Sequence, residues 1–98
     1  MNSVDFKLGE IIYDEFHIDF SKSFFEQLDS LTEDLLQVKY VASYLLDLGW
    51  YPEYEVDGKF VVQLIKDGNW DAPKYKACCR SKEELMQILE TAISFVSK

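Results

Sequence analysis

Three apolar runs in the second half of the chain, parted by glycine turns, form its most regular pattern. They lie at roughly 44–54, 59–66 and 72–80, with Asp57-Gly58 and Asp67-Gly68-Asn69 between them. Asp-Gly suits the positive-φ positions of a tight hairpin turn, and Pro73 limits where the next strand begins. The pattern predicts an antiparallel three-stranded β-meander. Lys59 to Lys66 is apolar on both sides, with Phe60, Val62 and Leu64 opposite Val61 and Ile65. Such a strand belongs inside a sheet. The third run alternates: Tyr75, Ala77 and Cys79 point one way, Lys74, Lys76, Cys78 and Arg80 the other. The basic set marks the wet face, so Cys79 is the thiol expected to be buried.

Helical spacing flanks the meander on both sides. Ser81 with Glu84 is a capping box, and Leu85, Ile88, Leu89, Ala92, Ile93 and Val96 make one stripe. This predicts a C-terminal amphipathic helix packed on one face of the meander. Phe24, Phe25, Leu28, Leu31, Leu35 and Val38 also recur at three to four residues, with capping-box spacing at Ser23/Glu26 and Ser30/Glu33. An N-terminal helical segment is expected there, either two short helices or one with a kink. Its polar side carries Glu26, Asp29, Glu33 and Asp34. Residues 41–48 fit a helix or a strand, and Gly49 and Pro52 favour a strand from about Leu45. Phe16, Ile18 and Phe20 alternate, as a short strand or an extended segment on the core would, and send His17 outward with Glu15 and Asp19. The fold class is α+β.

With 98 residues, 48% of them hydrophobic, the chain makes one globular domain spanning 1–98. It has no apolar run of about 18 residues, so no membrane span is expected. Its first residues lack the basic-then-apolar order of a secretory signal, and a cytoplasmic protein is expected. Cys78 and Cys79 are adjacent, which makes a disulfide between them strained; two free thiols in a reducing compartment are expected. One histidine and two vicinal cysteines do not supply the four ligands of a zinc site. The four scattered glycines form no phosphate loop, and neither Gly-x-Ser-x-Gly nor His-Glu-x-x-His occurs. His17 has no nucleophile to complete it. The chain is therefore read as a non-enzyme without metal or cofactor.

Charge changes the picture more. The net charge is −8, and residues 1–57 hold thirteen acids and three bases, whereas residues 58–98 hold five acids and seven bases. A strongly acidic stretch repels nucleic acid and attracts basic proteins, although such acids also serve solubility. Next to those acids lie large aromatics: Trp50, Tyr51 and Tyr54 interleave with Glu53, Glu55 and Asp57, and Trp70 adjoins Asp71. Aromatic anchors with a charged rim are typical of protein-binding hot spots. Strand alternation buries one of Trp50 and Tyr51 and exposes the other.

The run Leu46-Asp47-Leu48-Gly49-Trp50-Tyr51-Pro52-Glu53, then Asp57-Gly58-Lys59-Phe60, then Lys66-Asp67-Gly68-Asn69-Trp70-Asp71-Ala72-Pro73, closed by Ser81-Lys82-Glu83-Glu84-Leu85, resembles small bacterial immunity proteins. Those of contact-dependent growth inhibition systems are the nearest. The resemblance covers about half of the chain. It implies a small cytoplasmic protein that binds one cognate toxin domain, commonly a basic nuclease, and blocks its active site or substrate cleft. It carries no binding residues over, because immunity contacts differ from pair to pair. Charge and aromatic content instead select a partner face of Glu15, Asp19, Asp47, Glu53, Glu55, Asp57 and Asp71 with Tyr51, Tyr54 and Trp70. An acidic interaction adaptor or regulatory module without a toxin partner, or a self-associating one, is the alternative reading.

Overall fold

Leu36, Val38 and Tyr40 are buried, whereas Gln37 is partly buried and Lys39 exposed. That period of two makes a strand out of the stretch where the sequence pattern predicts a helix. The computed structural model describes residues 4–97. Its elements in chain order are β1 (Glu10–Asp14), a 3-10 stretch (Phe25–Ser30), β2 (Leu36–Tyr40), β3 (Tyr44–Tyr51), β4 (Lys59–Lys66), β5 (Tyr75–Cys79) and α1 (Lys82–Val96). The five strands form one antiparallel sheet whose spatial order is the order of the sequence.

The class remains α+β, but the expected architecture is overturned: the sheet has five strands, not three, and among the described residues no α-helix forms in the N-terminal part. Two local causes explain this. The Ser23/Glu26 box does form, with the Glu26 N–H donating to Ser23 Oγ at 3.3 Å, yet it opens only the 3-10 stretch. Gln27 breaks the helical path with φ −137° and ψ 37°. Its side-chain amide is taken by Asp19, accepting from the Asp19 N–H and donating to the Asp19 carbonyl, both at 2.9 Å. Side chains that bond backbone in this way compete with helix propagation. The second cause is the β2–β3 turn at 41–43, where Ala42 and Ser43 take φ of 61° and 62°. No glycine announces this hairpin. The ambiguity over 41–48 resolves as that turn followed by the start of β3.

The other turns also differ from expectation. Asp57 and Gly58 do not form a two-residue hairpin, since residues 52–58 all lie between β3 and β4. Gly58 is not at positive φ; a Cβ there would meet the Trp50 indole nitrogen. Asp67 and Gly68, by contrast, do take positive φ, 54° and 70°, and the Asn69 N–H closes the turn on the Lys66 carbonyl at 3.0 Å.

One face of the sheet builds the core. Val38, Leu46, Leu48, Trp50, Phe60, Val62 and Leu64 project from it, and Leu85, Leu89, Ala92 and Ile93 of α1 pack there. Ser81 caps α1 by accepting from the Glu84 N–H at 3.2 Å. Ile18 is buried and Phe16 and Phe20 pack against the core without forming a strand, so 16–20 is the extended segment rather than the strand. Phe24 and Phe60 lie 4.6 and 4.9 Å from the Trp50 ring, centroid to centroid. The buried Tyr40 hydroxyl donates to the Phe6 carbonyl at 2.7 Å, and burial, aided by the Asp5 charge, pushes its pKa up to about 12. That bond ties the first described residues to β2. Cys79 is buried and Cys78 exposed. Among the described residues no helix covers the second face, onto which Gln37, Lys39, Asp47, Tyr51, Lys59, Val61, Gln63, Ile65 and Lys76 alternate, with Asp47, Val61 and Ile65 buried.

Candidate protein-binding site

Two connections meet at one end of the sheet. Residues 15–35 leave β1 beside Leu36, and residues 52–58 leave β3 just beyond Leu48, the cross-strand partner of Leu36. A backbone bond joins them, the Tyr54 N–H donating to the Leu31 carbonyl at 2.7 Å, and the Trp50 N–H at the end of β3 donates to the Thr32 carbonyl at 2.9 Å. A side chain adds a third link, with Glu53 Oε1 accepting from the Glu33 N–H at 3.2 Å. Within 15–34 and 53–57 stand nine exposed carboxylates, one lysine (Lys22) and one histidine (His17). Six belong to the first connection (15, 19, 26, 29, 33 and 34) and three to the second (53, 55 and 57). The bonds between the loops hold Glu33 beside Glu53 and set the two acidic connections against each other at this end of the sheet.

Arg80 anchors the second loop from beneath. Its guanidinium donates to the carbonyls of Gly58 and Val56 and lies over the Phe24 and Trp50 rings, 5.1 and 5.6 Å from their centroids. Trp50 is fully buried, and its indole N–H donates to the Glu55 carbonyl at 2.8 Å. Tyr54 sits at the loop tip with φ 63°, a left-handed conformation held by its bond to Leu31, and 54% of it is exposed. Non-glycine residues kept in that region concentrate at functional sites.

Six of the ten residues selected from the sequence therefore share this end: Glu15, Asp19, Glu53, Tyr54, Glu55 and Asp57, all exposed. Some are already engaged. Asp19 Oδ1 accepts from the Ser21 hydroxyl at 2.6 Å and the Ser21 N–H at 2.9 Å, and these bonds lower its pKa. Glu15 pairs with His17 at 2.9 Å. Trp70 and Asp71 lie elsewhere, in the 67–74 connection at the far end of β4, roughly 23 Å away along an eight-residue strand. There Trp70, 46% exposed, borders a groove with Ile12, Leu45 and Ile65. An antiparallel strand necessarily carries the chain to the opposite end, so the ten residues do not form one patch. The acids at 26, 29, 33 and 34, read as the polar side of a helix, join the site instead; their signal was the charge run itself.

Asp47 and Tyr51 occupy the helix-free face. Only 1% of Asp47 is exposed. Oδ1 accepts from the Gln37 side-chain amide at 3.0 Å, and Oδ2 has no hydrogen-bond partner. Burial raises the Asp47 pKa; the Gln37 bond works against this and the Asp34 charge adds to it. Tyr51 is half-buried and its ring leans over Gly49, where a Cβ would also run into the Glu33 carbonyl. Burial raises the Tyr51 hydroxyl, and the charges of Asp47, Glu33, Asp34 and Glu53 raise it further.

Among the described residues, no three His, Cys, Asp or Glu side chains converge as metal ligands. Burial, with Glu84 and Cys78 nearby, pushes the Cys79 thiol up to about 11, which keeps it protonated and unreactive at neutral pH. No helix among the described residues is long and apolar enough to cross a membrane. Comparison of the chain with protein-family models, curated proteins and solved structures found no match.

Proposed function

We propose that this chain is an immunity protein: it binds a basic toxin domain, a nuclease, and covers its active site or substrate cleft. The observation that carries the reading is the acidic end, nine exposed carboxylates on two loops bonded to each other. A nuclease gathers lysines and arginines to hold a phosphate backbone. A surface that presents carboxylates in quantity competes for those same groups. Complementary fields also speed encounter, by ten- to a thousand-fold in steered pairs. Tyr54 at the tip of the second loop supplies an aromatic anchor, and anchors of that kind slow dissociation. The likeness of residues 46–53, 57–60, 66–73 and 81–85 to immunity proteins of contact-dependent growth inhibition points the same way.

An immunity gene directly follows the gene of its toxin, so the test begins with the product of the neighbouring upstream gene. Its C-terminal domain is produced with and without this chain, and both nuclease activity and association kinetics are measured. The expected result is a complex whose association slows as salt rises, with nuclease activity suppressed at equimolar protein. Reversing Glu53, Glu55 and Asp57 to lysine is expected to slow association at least tenfold and to weaken its salt dependence. If the triple variant associates as fast as the parent, the acidic end is the wrong surface. A complex that leaves the enzyme active marks an adaptor instead.

A further inference from the structure

The 52–58 connection is open to water at Glu53, Tyr54, Glu55, Val56 and Asp57, yet much of its backbone is bonded. Two turns close within it: the Glu55 N–H donates to the Pro52 carbonyl at 3.2 Å, and the Gly58 N–H to the Glu55 carbonyl at 3.0 Å. Three of its carbonyls also find side-chain donors outside the loop. The Glu55 carbonyl accepts from the buried Trp50 indole, and those of Val56 and Gly58 accept from the Arg80 guanidinium. The backbone is thus spent on Trp50 and Arg80, and the carboxylates of Glu53, Glu55 and Asp57 stay on the water side. This conformation works against two costs. Tyr54 stands at φ 63°, which is unfavourable for a residue with a side chain, and three carboxylates at alternate positions repel one another. Arg80 is suited to offset both. It follows Cys79, the register partner of Phe60, so the end of β5 delivers it beside the start of β4, where the loop rejoins the sheet. Its planar fork serves two carbonyls, its flat face covers the Phe24 and Trp50 rings, and its charge opposes that of the acids. A lysine has neither the fork nor the flat face.

We propose that Arg80 is the positioning residue of the binding loop: it fixes 52–58 in its bound conformation before the partner arrives. The inference rests on the reading of the chain as a binder of a basic toxin domain. A loop already held loses less conformational freedom on binding, and that gain is read in slower dissociation. Arg80 is itself exposed, on a cleft it shares with Lys22 and Lys82. The test therefore has to separate positioning from a direct contact with the partner.

The variant is Arg80→Lys, which keeps the net charge, and the probe is the C-terminal domain encoded by the neighbouring upstream gene. Amide exchange of the free protein and the kinetics of the complex are measured for parent and variant. In the free variant the Tyr54 and Gly58 amides are expected to exchange about tenfold faster, while the β4 amides keep their parent rates. The complex should dissociate about tenfold faster, with the salt dependence of association unchanged. Faster dissociation with parent-like exchange at Tyr54 and Gly58 would mean that Arg80 touches the partner, and overturns the proposal. Faster loop exchange with unaltered dissociation would leave Arg80 a clamp without a part in binding, and overturns it too. Faster exchange throughout β4 would show that the whole sheet has loosened, which removes a role confined to the loop. If the parent binds the domain and the variant matches it in both measurements, the Arg80 assignment falls and the acidic-end reading survives. If the parent does not bind the domain, both fall together.

Discussion

A carboxyl group with 1% of its surface in water ionises less readily than the same group in an unfolded chain. Asp47 is that group, and its pKa is raised in the folded protein chiefly by burial. A folded value above the unfolded one means that the stability Asp47 contributes is whole below about pH 4 and is lost as pH rises through the folded value. Asp47→Asn keeps the acceptor for Gln37 and removes the charge. The variant is expected to show a flatter stability profile between about pH 4 and 8, and a gain of ~1–3 kcal/mol at pH 8. Urea unfolding across that range measures both. A less stable variant at pH 8 would show that the ionised carboxylate has a partner in the free protein. Asp19 runs the other way: its bonds from Ser21 lower its pKa, so its contribution fades only in acid.

At the level of elements, Gly49 explains how the acidic loops come to sit against the sheet. A methyl group there meets the Glu33 carbonyl, a backbone atom that cannot turn away, whereas one at Gly68 meets nothing within 4 Å. Gly49→Ala is expected to cost about 3 kcal/mol, the upper end for overpacking. Gly68→Ala carries only the strain of φ +70°, about 1 kcal/mol. Chemical denaturation of the two variants gives the order, and a reversed order would remove Gly49 from this role. How far these elements are legible in the sequence follows from their turns and spacing. β4, β5, α1 and the later part of β3 are readable because Gly49 and Pro52, a doubly apolar run, Asp67-Gly68, the alternation of 75–79 and a capping box mark them. β2 is not, because Leu31, Leu35 and Val38 also fit a helical period and the turn after Tyr40 uses Ala42 and Ser43 where glycine would be the cue. β1 is hidden by its own exposure: all five residues face water, and a bulge between Ile11 and Tyr13 breaks the alternation. The candidate site is half legible. Charge and aromatic content point to 53–57, but only the pairing of the loops adds 26–34 and sets Trp70 and Asp71 apart.

For the molecule as a whole, strand order matters because it equals chain order. The acidic first 57 residues supply β1 to β3, and the slightly basic remainder supplies β4, β5 and α1. A lopsided sequence thus becomes a lopsided body, more negative on one flank of the sheet. Within about 8 Å, the screening length at physiological salt, such a body is turned by a charged neighbour before contact. The same order has a consequence in time. The connections after β2, β3 and β4 span three, seven and eight residues, whereas β1 returns to β2 only after 21. β1 is also short and bonded along one edge alone. It closes the largest loop for the smallest return, so it is the strand to dock last and detach first. Amide hydrogen exchange should record this as a gradient, fastest in β1 and slowest in β3 and β4, and equal protection across the sheet would mean that it opens only as a unit.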